Sequence, residues 1–183
     1  MNVLLMGLRG CGKSTVGQLL AARLECPFLD LDDRVLATFD EPTVTAVWAA
    51  HGKAAWRDAE ATVLGALLGH PGASGASGAV DNVIALGGGT PMVESARRDL
   101  EAARAAGSAT LIYMRCTIEE LRRRLSGNTG DRPSLTGVDP VMELGPVLEA
   151  REPVYRQLAD HEYDVTSTPP GGIAEALAEL LSG

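Results

Sequence analysis

The chain has 183 residues, 45% of them apolar, and a formal net charge of −8 at neutral pH. This length and composition predict a single globular domain rather than a disordered chain, and the negative charge argues against nucleic acid as a partner. Three widely spaced cysteines, and the lack of an apolar spanning run or a secretory signal, predict a cytoplasmic protein without a membrane partner. We expect a monomer, because no helical pattern carries an extra apolar stripe.

Short apolar segments alternate with helical patterns along the chain. The predicted strands are residues 2–6, 27–31, 82–86, 110–114 and 163–166. Alternation of this kind predicts right-handed crossovers and a parallel sheet that helices cover on both faces. Ligands of such proteins bind beyond the carboxyl ends of the strands, where the chemical motifs of this chain also fall.

A phosphate-binding loop follows the first predicted strand. Residues 7–14 read Gly-Leu-Arg-Gly-Cys-Gly-Lys-Ser and fit the pattern G-x-x-x-x-G-K-[ST]. In such a loop the backbone N–H groups cradle phosphate oxygens, the lysine reaches the β- and γ-phosphates, and the hydroxyl holds Mg²⁺. A helix predicted over residues 15–24 adds the positive end of its dipole. We therefore expect ATP to contact Gly10, Cys11, Gly12, Lys13, Ser14 and Thr15.

Aspartates end the second predicted strand, at Asp30, Asp32 and Asp33. Residues two apart on a strand point to the same side, so we expect the carboxylates of Asp30 and Asp32 to face the phosphate loop. Phosphoryl transfer needs one carboxylate near Mg²⁺ and another that orients or deprotonates the attacking hydroxyl. The alternative role is a helix N-cap, which we assign to Asp33 ahead of a helix over residues 35–39.

Two arginines are candidates for binding a substrate anion. Arg57 lies three residues before Glu60 on a helix predicted over 53–68, so the glutamate can orient it; an ordinary surface ion pair is the alternative. Arg151 lies in a helix predicted to begin near residue 139. There, Pro153 would either kink the helix or mark an N-terminal turn. A kink could aim Arg151 inward, and a solvent-facing arginine is the alternative.

Glycine-rich segments complete the pattern. Gly87, Gly88 and Gly89 follow the third strand, where they either let a ligand lie against the backbone or form a turn before the next helix. Residues 69–79 form a Gly/Ala/Ser linker to which we assign no function. Residues 127–140 form a second long loop that carries fixed charge and is a candidate lid.

These motifs occur in the order shown by shikimate kinases, and the chain resembles that family over nearly its whole length. The motifs that match are residues 7–15, Asp30-x-Asp32, Trp56-Arg57-x-x-Glu60, the triple glycine, Arg132-Pro133 and Arg151-x-Pro153-x-Tyr155. The resemblance implies a P-loop fold like that of nucleoside monophosphate kinases, a three-layer α/β/α sandwich with a five-stranded parallel sheet. Residues 1–183 would form one domain, with a substrate-binding segment at about 32–61 and a lid at about 127–137.

The resemblance also implies an activity and a set of roles. The family uses ATP and Mg²⁺ to phosphorylate the 3-hydroxyl of shikimate, on the way to chorismate and the aromatic amino acids. The catalytic residues would be Lys13, Asp32 and Arg132, and the metal ligands would be Ser14 and Asp30. Nucleotide contacts would add Arg124 near the adenine and Arg132 on the phosphates. Shikimate would contact Asp32, Arg57, Gly87, Gly88, Gly89 and Arg151, with Glu60 in support.

The sequence departs from the family pattern beside the first arginine. Lys53 stands where the family usually has glutamate, and Trp56 stands where phenylalanine is usual. A kinase for another polyol acid, such as gluconate, and a catalytically silent binding module on the same fold are the alternatives. The presence of Lys13, Ser14 and both aspartates argues against the silent module.

Overall fold

A parallel sheet forms the middle layer of the computed structural model, which describes residues 1–69, 80–126 and 141–182. The strands of the five-stranded sheet are β1 Asn2–Met6, β2 Phe28–Asp30, β3 Asn82–Ala85, β4 Ala109–Arg115 and β5 His161–Asp164. They lie in the order β2-β3-β1-β4-β5, and neighbouring strands pair in parallel. The predicted parallel sheet is therefore confirmed, with the ends of its strands shifted by no more than a few residues.

Helices cover both faces of the sheet. They are α1 Lys13–Arg23, α2 Leu31–Leu36, α3 Val44–Gly69, α4 Glu94–Ala105, α5 Ile118–Leu125, α6 Leu144–Leu158 and α7 Pro170–Ser182, with a 3₁₀ turn at Thr90–Met92. The side chains of β1 alternate between two cores. Val3 and Leu5 pack with α1, α5 and α7, whereas Leu4 and Met6 pack with α3, α4 and α6. This alternation produces the predicted three layers.

The helix that carries Arg57 is longer than predicted and is broken near its middle. Gly52 has φ 81° and ψ 164°, a conformation that favours glycine, and the predicted helix over 53–68 corresponds to the second half of α3. The first half, from Val44, was not predicted. The break separates Trp48 from Trp56, and both side chains line the same cleft.

Two helix boundaries differ from the predictions. Helix α2 begins at Leu31 and its N-cap is Asp30, so the assignment of the cap to Asp33 is wrong. Asp32 consequently lies in the first turn of a helix and not on the strand. Helix α6 begins at Leu144 and continues past Pro153, which lies inside it.

Two predicted loops lie partly or wholly outside the described residues. Residues 70–79 of the linker are outside them, and so is the whole of the candidate lid over 127–137. None of the described helices combines the length and the apolar character that a bilayer crossing requires.

Candidate active site

The carboxyl ends of β1, β2 and β3 meet at one edge of the sheet, and the predicted site residues that the structure describes lie around that edge. Loop 7–12 follows β1, Asp30 ends β2, and the triple glycine begins two residues after β3. This convergence results from the parallel pairing of β1 with β3 and of β3 with β2.

The phosphate-binding loop curves around the end of its own lysine. Gly12 precedes α1 with φ 98°, a left-handed conformation that suits glycine, and the helix then starts at Lys13. The Lys13 ammonium is buried and donates hydrogen bonds to the carbonyl oxygens of Gly7 at 2.9 Å and Leu8 at 3.1 Å. The loop therefore places a cation and the N-terminus of α1 together, the combination that binds phosphate.

Asp30 joins the loop to the second strand. Its Oδ2 accepts a hydrogen bond from the Ser14 hydroxyl at 2.6 Å, and its Oδ1 accepts one from the Asp32 backbone N–H at 3.0 Å. The first contact brings together the two predicted metal ligands. The described residues hold no cluster of three or more His, Cys, Asp and Glu side chains that could bind a metal. A hydroxyl and one carboxylate nevertheless fit Mg²⁺, which keeps water and phosphate oxygens as most of its ligands.

A cleft lies between the phosphate loop, α3, the triple glycine and α6. It has about 560 Å³ of atom-free space including its open mouth. The predicted residues that line it are Asp32, Arg57, Glu60, Gly87, Gly88, Gly89 and Arg151. Residues that sequence reasoning did not select also line it, namely Leu8, Arg9, Val44, Trp48, Glu143, Leu144 and Val147. The cleft therefore combines apolar walls with several cationic side chains.

Glu60 holds the first arginine in place. It is fully buried, and its two carboxylate oxygens accept hydrogen bonds from Arg57 Nη1 and, at 2.8 Å, from the Thr90 hydroxyl. The Arg57 side chain keeps 19% exposure, against 1% for Glu60. A buried carboxylate with both oxygens bonded is a fixed anchor, so the predicted orientation of Arg57 by Glu60 is present in the structure.

The second arginine approaches the cleft from α6. Arg151 Nη1 donates a hydrogen bond to the Gly88 carbonyl oxygen at 2.8 Å, and the Tyr155 hydroxyl donates to the same oxygen. Of the two orientations considered for Arg151, the inward one is therefore correct. Pro153 lies inside α6, nine residues after its start at Leu144, so the alternative that it marks an N-terminal turn is wrong.

The triple glycine leaves room for the side chains of the site itself. A Cβ on Gly89 would overlap the guanidinium of Arg57. A Cβ on Gly87 would overlap Glu60 Oε1 and would stand 2.8 Å from Asp32 Oδ1 and 2.9 Å from Thr90 Oγ1. The missing side chains at these two positions are therefore required by Arg57 and Glu60 before any ligand is considered.

Charged residues in and next to the cleft were missed as site residues: Arg9 and Glu143 line it, and Lys53 does not. Arg9, inside the phosphate loop, donates to Glu143 Oε1 at 2.7 Å, and this pair joins the loop to the start of α6. Lys53 stands with its ammonium 5.7 Å from the centre of the Trp48 ring. Burial, followed by the positive charges of Arg57 and Arg151, lowers the pKa of Lys53. This cation was noted only as a departure from the family pattern, although its spacing of one helical turn from Arg57 was a usable signal.

A second, more open groove lies on the other side of the phosphate loop. Its walls are Gly10, Gly12, Thr15, Glu120, Arg123 and Arg124 together with residues 166–170, which connect β5 to α7. No residue of 166–170 was predicted to belong to the site. The position of this segment, beyond the carboxyl end of a parallel strand, was the signal that could have identified it.

Arg124 forms one wall of this groove and is held on three sides. Its Nε donates to Glu120 at 2.7 Å, its Nη1 to the Cys11 carbonyl at 3.1 Å, and its Nη2 to the Val165 carbonyl at 2.8 Å. Arg124 thus lies beside the phosphate-binding loop, and its place near the adenine stays a prediction. Arg132 lies outside the described residues, and its role stays a prediction.

The chain is similar to known proteins over almost its whole length. A model of the family described as shikimate kinase matches residues 9–182. The chain is 36% identical to shikimate kinase 2 of Sodalis glossinidius over 98% of this chain and 95% of that protein. The shikimate kinase of Acinetobacter baumannii, solved in complex with shikimate, superposes with a TM-score of 0.83 at 26% identity, covering 98% of this chain and 92% of that one.

A more distant structural match concerns the fold alone. A gluconokinase of Sinorhizobium meliloti superposes with a TM-score of 0.55 at 18% identity, over 99% of this chain and 91% of that one. The sequence-based identification thus agrees with a family match across almost all of the chain. This protein belongs to the shikimate kinase family.

Proposed function

We propose that this chain transfers the γ-phosphoryl group of ATP to the 3-hydroxyl of shikimate, a step of aromatic amino acid biosynthesis. The observation that carries the proposal is the adjacency of a phosphate-binding loop and a cleft that contains Arg57, Arg151 and Asp32. A small polyol with one carboxylate suits such a cleft. Shikimate, the ligand in the Acinetobacter baumannii structure, has that chemistry.

Arg57 and Arg151 would bind the carboxylate of shikimate. They line the cleft from opposite elements, α3 and α6, so an anion between them meets a cation on each side. Arg57 is fixed by Glu60, which lowers the conformational entropy lost on binding. A guanidinium fork also selects a planar carboxylate over a neutral group.

Asp32 would bind and orient the attacking hydroxyl. It lines the cleft near Gly87 and lies two residues after Asp30, which contacts the phosphate loop through Ser14. A carboxylate at the junction of the two sites can accept the proton of a hydroxyl as phosphorus is attacked. Most of the acceleration would come from positioning and charge stabilisation.

The nucleotide phosphates would lie against residues Gly10, Cys11, Gly12, Lys13, Ser14 and Thr15. Lys13 would exchange its carbonyl partners in the loop for phosphate oxygens. Ser14 and Asp30 would hold Mg²⁺, which when bound supplies charge neutralisation on the phosphate oxygens. The hydrogen bond between these two side chains supports this role, because it brings the hydroxyl and the carboxylate within reach of one small ion.

The adenine would lie in the groove between Arg124 and residues 166–170. This groove adjoins Gly10 and Gly12, so a nucleotide whose phosphates occupy the loop would place its base there. Arg132 would reach the phosphates from the lid at 127–137. We also expect the protein to act as a monomer in the cytoplasm.

Release of ADP in a coupled assay with Mg²⁺ tests the proposed function. ADP release should depend on shikimate, and it should stay at the background rate with gluconate or with the carboxamide of shikimate. Release of ADP with gluconate but not with shikimate would contradict the substrate assignment. The absence of turnover with any polyol acid, despite ATP binding, would instead support a silent binding module.

A further inference from the structure

One backbone carbonyl of the cleft accepts hydrogen bonds from two side chains of the same helix. Arg151 and Tyr155 lie four residues apart on α6, one helical turn, and both donate to the Gly88 oxygen. A carbonyl oxygen has two lone pairs, so both hydrogen bonds can form at once. The Gly88 carbonyl is therefore satisfied twice, once by a candidate substrate-binding residue and once by a residue that lines no part of the cleft.

The Tyr155 hydroxyl is a permanent donor. The side chain is fully buried, its ring packs 5.3 Å from that of Tyr113, and burial raises the pKa of its hydroxyl to about 12. The hydroxyl thus stays protonated at any pH at which the enzyme would work. Its hydrogen bond points to Gly88, whereas the Tyr113 hydroxyl points away to Glu152 at 3.2 Å.

Arg151 faces a conflict that Tyr155 can resolve. Only Nη1 of Arg151 contacts Gly88, and a substrate carboxylate bound across the Nη1–Nη2 edge would draw the guanidinium toward itself and weaken this hydrogen bond. A carbonyl that loses its only partner in a closed site is destabilised, and that loss would oppose substrate binding. With the Tyr155 hydroxyl in place, the same carbonyl keeps a partner while Arg151 turns to the ligand.

We propose that Tyr155 is a positioning residue for substrate recognition: its hydroxyl keeps the Gly88 carbonyl satisfied and so frees Arg151 to bind the substrate carboxylate. This inference rests on the proposed function, in which Arg151 contacts that carboxylate. Tyr155 itself touches no reacting atom. We therefore expect loss of the hydroxyl to raise the KM for shikimate and to leave kcat and the KM for ATP unchanged.

The test compares Tyr155→Phe with a matched control, Tyr113→Phe. Each change removes one hydroxyl from a buried ring of the same pair, but only the first removes a partner of Gly88. We expect Tyr155→Phe to raise the KM for shikimate about tenfold, equivalent to about 1.4 kcal/mol. Tyr113→Phe should leave it unchanged. Because KM does not depend on the fraction of folded enzyme, a loss of stability in either variant does not affect the comparison.

The carboxamide of shikimate supplies a second measurement, taken as an inhibition constant. The carboxamide offers Arg151 no carboxylate, so Arg151 can stay on Gly88. Tyr155→Phe should therefore weaken binding of the carboxamide no more than Tyr113→Phe does. An equal loss of affinity for shikimate and for the carboxamide would overturn the inference, as would equal KM values in the two tyrosine variants.

The effect of Arg151→Ala separates the two proposals. If it leaves the KM for shikimate unchanged, the proposed clamp fails; if it raises the KM while Tyr155→Phe does not, only the role of Tyr155 fails.

Discussion

Replacing Gly87 with alanine tests why three glycines follow β3. The added Cβ would overlap Glu60 Oε1 and would stand 2.8 Å from Asp32 Oδ1 and 2.9 Å from Thr90 Oγ1. Real Cβ atoms almost never approach another atom so closely, so at least one neighbour must move. Glu60 is fully buried and bonded through both oxygens, which leaves it little freedom to do so.

The size of the effect follows from overpacking. Forcing an extra carbon into a packed site usually costs about 1–3 kcal/mol. For a protein of this length each kcal/mol lowers Tm by roughly 2–4 °C, so Gly87→Ala should lower it by roughly 2–12 °C. Displacement of Glu60 would also release Arg57, and we therefore expect the KM for shikimate to rise.

Thermal unfolding and steady-state kinetics measure both effects. Gly145→Ala is the matched control, because a Cβ at this helical position of α6 meets nothing within 4 Å. That control should be neutral or should stabilise the protein by up to about 1 kcal/mol. A Gly87→Ala variant with the wild-type Tm and KM would refute the argument that the site's own side chains require the glycine.

Changes at four further residues test the site and its surroundings. Asp32→Asn should lower kcat by about 10²–10⁴-fold in the coupled assay and leave ATP binding, measured by titration, unchanged. Arg57→Ala should weaken shikimate binding by about 2–5 kcal/mol by calorimetry, and Arg57→Lys should recover only part of that loss because it lacks the planar fork. A bound carboxylate should raise the lowered pKa of Lys53 again, so that binding at alkaline pH takes up a proton and the KM for shikimate rises as the pH rises through that pKa; Lys53→Met should flatten that rise. Arg132→Ala should lower kcat without changing Tm, and a kcat equal to that of the wild type would make the loop a simple connector.

Much of the fold could be predicted because each of its signals is local. The apolar run of β1 and the loop pattern after it gave both the strand and its end at Met6. Asp30 shows where local reasoning fails. Three aspartates within four residues are equivalent as caps in the sequence, and only the Ser14 hydrogen bond and the start of α2 at Leu31 distinguish Asp30 from Asp33.

The site was predicted least well where its contacts join distant segments. The pairing of Arg57 with Glu60 was predictable, since three residues on a helix fix the distance between them. The pairing of Arg9 with Glu143 was not, because the two residues lie 134 positions apart and no periodicity connects them. The same holds for Tyr155 and Gly88, which meet only after α6 packs against the 3₁₀ turn that follows the triple glycine.

The hydrogen bonds of Arg124 affect how variants of this enzyme would be interpreted. Its guanidinium donates hydrogen bonds to Cys11 in the phosphate loop, to Val165 in the segment after β5, and to Glu120 on its own helix, and so connects the three. A lysine has a single nitrogen and cannot reach three separate directions in one plane. A genetic screen for weakened ATP use would therefore recover Arg124 substitutions even if the side chain never touches the nucleotide. A loss of ATP use on substitution of Arg124 would then show that the groove is incorrectly assembled, and would not be evidence that Arg124 contacts the nucleotide.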